Sequence, residues 1–222
     1  MRIIASFYKH EQVMFVSHLD MQRLFQRAFR RADLPLAYSN GFNPHPLLSF
    51  ATALSVGYTS DCEYFDVMLS EYVSPAEFKR RVNAVLPQGV HIVDAVDAGE
   101  FKASLTPLMR SAEYDIELEF ADPVPREAFY AAVDEILNGG EIIVSKKTKG
   151  GIKDVDIRPM LLGLSVSEFG GRTAKLRLRG KLTAEGGLSP ELLLGAFYKK
   201  LGISANSSVN RRNIEMDWTV IA

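Results

Sequence analysis

A single cysteine, Cys62, occurs among the 222 residues. One thiol cannot close an internal disulfide, and it cannot supply the several thiolates of a cysteine-held zinc site or iron–sulfur cluster. Long hydrophobic runs are missing as well. No stretch approaches the roughly 20 apolar residues that cross a bilayer, and Met1–Tyr8 lacks the apolar core and cleavage site of a secretory signal. Nor is there an excess of either charge. Lysine and arginine number 26 against 27 aspartates and glutamates, a net charge of -1. The whole chain therefore has no general attraction for polyanions, and a basic site must arise by local clustering. These absences point to a cytoplasmic protein with no membrane partner. Hydrophobic content of 47% with 24% charged residues is that of a globular chain. The length suffices for one large domain or two small ones.

The first half opens with a strand over residues 2–9, which Val13–Val16 extends after a turn. From Ser17 the period changes to that of a helix running to about Ala32. Ser17 has the chemistry of an N-cap, and Asp20 stands three residues on, where its carboxylate meets free backbone amides. At about 100° per residue, Met21, Leu24, Phe25, Ala28, Phe29 and Ala32 fall on one arc. Arg23, Arg27, Arg30 and Arg31 gather on the other, relieved only by Asp20. Such a stripe is either a solvated face or a phosphate-binding one, because unmatched arginines repel each other until an anion arrives.

Pro35 closes this helix. Next comes the segment Tyr38-Ser39-Asn40-Gly41-Phe42-Asn43-Pro44-His45-Pro46. Two prolines and a glycine make it a loop with a fixed backbone, and it displays a phenol, a phenyl ring, an amide and an imidazole. Gly41, Pro44 and Pro46 shape the loop, while Tyr38, Phe42, Asn43 and His45 are its recognition groups. Strands over 47–54, 63–69 and 90–96 and a helix from Ser74 to about Leu86 complete the half. The order of elements is βαββαβ, the ferredoxin-like arrangement.

Residues 98–111 show no periodicity and read as a linker between domains at 1–97 and 112–222. The second half repeats the pattern, with strands at 114–120, 141–145, 161–169, 174–179 and 214–220 and helices at 125–137 and 189–201. The expected architecture is α+β, two tandem ferredoxin-like domains with antiparallel sheets; a single mixed domain is the alternative. Within the second half, residues 146–159 carry Lys146, Lys147, Lys149 and Lys153 around paired glycines, which predicts a flexible cationic loop. Asp156 and Arg158 are placed to pin its base by an ion pair. A plain exposed hairpin extension is the other reading.

Phe15-Val16-Ser17-His18-Leu19-Asp20, the Arg27-Ala28 and Arg30-Arg31-Ala32 pairs, Leu34-Pro35, Tyr38-Ser39, Gly41–Pro46 and Ser49-Phe50-Ala51 together resemble the signature of the radical SAM-linked protein family, DUF2344. The segment 146–159 is similar to that family's second characteristic stretch. The resemblance covers essentially the whole chain. It implies a radical SAM partner enzyme, commonly of the cobalamin-associated kind. The iron–sulfur cluster, S-adenosylmethionine and cobalamin would belong to that partner, with no cofactor bound by this chain. Many members have a basic residue where this chain has Leu47. The paired layout is also similar to that of CRISPR RNA-processing proteins, an analogy of fold alone.

Three functions follow as alternatives. The first is an RNA-binding accessory module presenting tRNA or ribosomal RNA to the partner. There Tyr38 or Phe42 stacks on a base and Asn43 reads its edge. His45 stands beside them, and the arginine stripe, Lys146, Lys147, Lys149, Lys153 and Arg158 hold phosphates. The second is a protein adaptor whose loop docks on the enzyme. The third is a metal-free ribonuclease, for which His18, His45 and Tyr38 are the candidate acid–base groups. The bland readings are that His18 caps or packs and that His45 braces its loop. Metal binding by His18, His45 and Asp20 matches no standard ligand spacing.

Overall fold

The computed structural model describes residues 1–99, 101, 103–148 and 151–220. The chain divides into two compact units, Met1–Met109 with Met216–Ala222 and Arg110–Glu215. The fold is mixed α+β, and the strands within each unit pair antiparallel.

The first unit contains β1 (Arg2–Lys9), α1 (His18–Arg31), β2 (Leu48–Phe50), β3 (Thr59–Met68), α2 (Pro75–Asn83) and β4 (Val90–Asp97). Its strands lie in the order β4-β1-β3-β2. Alternation along β1 sends Ile3, Ala5 and Phe7 to one face, where they meet Phe65 and Val67 of β3. Both helices cover that face. Phe25 of α1 lies 4.9 Å from the rings of both Phe7 and Phe65, and Phe29 lies 5.7 Å from Phe78 of α2. The helices form where the sequence placed their caps. Ser17 Oγ accepts from Asp20 N and Ser74 Oγ from Glu77 N. Asp33, at φ 51, turns the chain out of α1 in left-handed geometry.

The second unit contains β5 (Met109–Phe120), α3 (Arg126–Asn138), β6 (Ile143–Thr148), β7 (Gly151–Asp156), β8 (Leu161–Phe169), β9 (Thr173–Thr183), β10 (Gly186–Gly187), α4 (Pro190–Leu201) and β11 (Ala205–Met216). The order is β8-β9-β5-β11, with β10 also on β9. Phe129 of α3 anchors the core against Phe169 at 4.3 Å and Phe197 at 5.4 Å. The opposite face of β5 and β9 is a charge ladder. Glu113, Asp115 and Glu117 stand across from Arg179, Arg177 and Lys175 in register.

Several expectations are corrected. Residues 98–111 are not a free tether: Leu105, Leu108 and Met109 are buried, and Thr106 Oγ1 donates to Ala51 O at 2.9 Å. The segment up to Met109 and the 3-10 turn Trp218–Val220 belong to the first unit, where Trp218 meets the Tyr64 ring at 5.6 Å. Of the expected strand 214–220 only residues 214–216 are strand, the end of β11, whose polar start at Asn206–Ser208 hid it from a search for alternation. Val13–Val16 do not extend β1, because Glu11–Val13 form a 3-10 turn. The strand expected at 47–54 shrinks to β2. No helix of the described residues is long and apolar enough to cross a membrane.

Candidate nucleic-acid interface

Arg23, Arg27, Arg30 and Arg31 are all exposed on α1. With Asp20, Leu24 and Pro87 they line a groove of about 590 Å³. The four cations are not equivalent. Arg23 Nη1 is 2.8 Å from Asp20 Oδ1, and Arg31 Nη2 donates to Val85 O at 2.7 Å in the turn after α2. Arg27 and Arg30 make no hydrogen bond or ion pair among the described residues. Asp20 is held below the usual carboxylate range, first by the Ser17 hydroxyl and then by Arg23. Its charged form is favoured in the folded chain, so the stability it contributes is present above the ordinary aspartate pKa and is lost as pH falls from there through the lowered one. Ser17 also caps the helix that presents the stripe. Ser17→Ala is expected to lower stability by about 1 kcal/mol, read by thermal unfolding.

The loop 38–46 extends the β2–β3 edge. Tyr38 and Pro46 form an isolated bridge, and Ser39 N donates to His45 O at 2.9 Å. Ser39 Oγ lies 2.9 Å from His45 Nδ1 and accepts from His45 N at 3.1 Å. His45 thus braces the loop. Gly41 has φ +116, a conformation that L side chains rarely adopt. Pro46 is buried, whereas Asn43 and Pro44 are exposed. Phe42 is exposed over its whole surface and Tyr38 over nearly half. A phenyl ring with no cover on a braced loop is an apolar group offered to a partner.

His18 lies in the first turn of α1, edge-on to Phe50 at 5.4 Å and 3.5 Å from Gln22 Nε2. The cavity it lines with Lys9 and Glu63 holds only about 20 Å³, too little for a ribose. Buried Lys9 spends its ammonium on Met14 O and Val16 O, which sets the turn before the Ser17 cap. Burial lowers its pKa. Neither His18 nor His45 is hydrogen-bonded to a carboxylate among the described residues. No cluster of three metal-ligating side chains occurs among those residues either.

In the second unit the basic segment is a β-hairpin rather than a loop, with β6 and β7 paired from Ile143↔Asp156 to Thr148↔Gly151. Lys146 stands directly opposite Lys153, a like-charge pair that costs stability without an anion between or beside it. Ser145 Oγ donates to Asp154 Oδ1. Lys149 and the side chain of Lys147 lie outside the described residues. Asp156 and Arg158 do fix the hairpin base, but not by the expected ion pair. Asp156 Oδ1 accepts from Ile142 N and Arg158 N, and Arg158 Nη2 donates to Leu137 O at 2.7 Å. Arg158 is therefore a structural group, its guanidinium committed to a helix carbonyl.

Sequence reasoning missed Arg2, Asp66 and Phe101. Arg2 and Asp66 are buried on the helix-free face of the first unit, 2.9 Å apart. The signal was there in the alternation of β3, where Tyr64, Asp66 and Met68 share the face opposite Phe65 and Val67.

A two-unit α+β fold with a basic helix groove, a braced loop bearing a free aromatic and a basic hairpin defines the class. Residues 2–190 match the family described as "Uncharacterized protein conserved in bacteria (DUF2344)", and the chain belongs to that family. No curated protein sequence matches the chain. Among solved structures, the chain is similar to one in a Cbf5-Nop10-Gar1 complex, at TM-score 0.56 and 12% identity, covering 96% of this chain and 48% of that one. It is also similar to a chain in an H/ACA RNP bound to a substrate RNA containing 2'-deoxyuridine, at TM-score 0.55 and 12% identity, with coverage of 96% and 47%. A third match is in an archaeal box H/ACA sRNP Nop10-Cbf5 complex, at TM-score 0.53 and 13% identity, with coverage of 94% and 46%. At this identity the likeness is one of fold. The chain spans about half the length of the chains it matches.

Proposed function

We propose that this chain is an RNA-binding accessory module that holds tRNA or ribosomal RNA for a radical SAM enzyme. The observation that carries the reading is the α1 groove, where Arg27 and Arg30 are exposed and make no hydrogen bond or ion pair among the described residues. Arginine left unmatched on a groove is suited to phosphate oxygens, which it meets with a planar fork of donors. Phe42 and Tyr38 supply stacking faces, with Asn43 beside them to read a base edge. The opposed pair Lys146 and Lys153 of the hairpin adds phosphate contacts, and the sequence neighbours Lys147 and Lys149 add to the local positive charge. Similar folds in RNA-containing complexes support an RNA partner. The radical SAM partner, with its iron–sulfur cluster, S-adenosylmethionine and cobalamin, rests on the family resemblance. We also read each unit as a ferredoxin-like domain, a reading supported by the strand order of each sheet.

The adaptor reading has one observation in its favour. Phe15, Leu19 and Phe42 are exposed apolar residues of the first unit, a composition that suits a protein partner. The ribonuclease reading gains no such support, because His18 is half-buried against Phe50 and Gln22 and His45 is occupied with its loop.

The test is binding of fluorescent tRNA and ribosomal RNA fragments by wild type and by Arg27→Ala/Arg30→Ala. Both side chains are exposed and uncommitted, so the variant folds normally by circular dichroism. Its affinity is expected to fall about tenfold or more at moderate salt. Equal affinity of variant and wild type would sink the reading.

A further inference from the structure

The helix-free face of the first unit holds a second concavity, of about 490 Å³. Its volume lies within the roughly 300–1,000 Å³ of small-ligand clefts. Arg2 and Asp66 are among its lining, with side chains 8% and 10% exposed. Leu48, Met68 and Phe101 supply apolar walls, and His45 and Ser49 reach it from the loop and β2.

The chemistry of the lining narrows the ligand. Arg2 is the only lysine or arginine in that lining among the described residues, and it is already used. Its Nη1 donates to Phe101 O at 3.0 Å and Ala103 O at 2.8 Å, its Nη2 faces Asp66 Oδ2, and its guanidinium lies 5.2 Å from the Phe101 ring centre. Among the described residues the pocket thus has no free lysine or arginine side chain for a phosphate. Asp66 differs. Its Oδ1 accepts from no donor among the described residues, although the side chain is nine-tenths buried. Asp66 lines a cleft with apolar walls, and a carboxylate oxygen without a donor there calls for an N–H or O–H group. A flat ring that stacks on a phenyl face and carries N–H on its edge satisfies both demands.

We infer that this pocket takes one unpaired nucleobase, its ring against Phe101 and Met68 and its Watson–Crick N–H on Asp66 Oδ1. When the base belongs to a strand, the inference rests on the RNA-binding reading and gives that site its base-selective subsite. When the base arrives as a free nucleoside, it stands alone.

The experiment follows backbone amide resonances of Ser49, Gly99 and Ser104 in the full chain. The probes are guanosine, adenosine, cytidine, uridine, 3-methyluridine and short single-stranded oligonucleotides. Nucleosides with a Watson–Crick N–H are expected to shift these amides, and 3-methyluridine, which has none, is not. Phe101→Ala is expected to weaken binding about tenfold by loss of stacking. Ser49→Trp, at an exposed position, is expected to abolish binding by filling the pocket while the thermal transition stays unchanged. Shifts with oligonucleotides alone assign the base to RNA; shifts with nucleosides assign it to a free ligand as well. No shift with any probe at millimolar concentration overturns the inference, as do shifts that survive Ser49→Trp. Oligonucleotide binding that depends on Arg27 and Arg30 but leaves these amides unmoved overturns the pocket and leaves the interface standing.

Discussion

Arg2→Ala is expected to lower the stability of the first unit by about 3–5 kcal/mol. The substitution leaves Asp66 as a buried carboxylate with no counter-charge among the described residues, and it removes the two hydrogen bonds to Phe101 O and Ala103 O. The pair itself is not ideally made. Nη2 and Oδ2 are 2.9 Å apart but off the hydrogen-bond axis, and Arg2 Nε has no partner. The double replacement Arg2→Met/Asp66→Leu is therefore expected to lose less than Arg2→Ala alone, because an apolar pair removes both buried charges. Trp218, the only tryptophan, stands in this unit beside Tyr64 and reports its unfolding by fluorescence in urea. A loss below about 1 kcal/mol for Arg2→Ala would mean that water or rearrangement relieves Asp66.

The second large effect is expected at Phe25. This ring is fully buried and touches Phe7, Phe29, Phe50 and Phe65. Truncation to alanine removes its transfer free energy and leaves a cavity that rigid aromatic neighbours cannot collapse into. The expected cost is about 3–5 kcal/mol, measured in the same urea titration. Phe25→Leu, which keeps most of the volume, is expected to cost clearly less. Equal losses for the two variants would show that shape rather than volume governs this core.

What was legible in the sequence was local. The α1 cap, its apolar arc and its arginine stripe all depend on residues three or four apart, and all three appear in the structure. The same holds for the Ser74 cap of α2. What was not legible depended on partners far along the chain. Arg2 and Asp66 are 64 positions apart and meet only because β1 and β3 pair. The stretch before β5 lacks periodicity because its buried residues are held outside regular elements, by contacts such as that of the Thr106 hydroxyl with Ala51 O. Lys146 and Lys153 looked like loop residues because composition shows charge but not register. Asp156 and Arg158 looked like an ion pair by spacing, yet backbone groups claimed both.

Among the recognition groups, the bracing of the loop takes a specific form. Ser39 and His45 tie its two arms, which leaves Phe42 outside. Arg158 donates to Leu137 O, and Arg23 and Arg31 are partly occupied, so the proposed phosphate contacts rest chiefly on Arg27 and Arg30.

The most direct test of the central claim is the salt dependence of RNA binding. The logarithm of the association constant is plotted against the logarithm of salt concentration for wild type and for Arg27→Ala/Arg30→Ala. Each phosphate contact contributes a slope of about 0.7–0.9, so the account predicts a steep line for wild type and one shallower by about 1.5 for the variant. Parallel lines, or no binding at low salt, would contradict it.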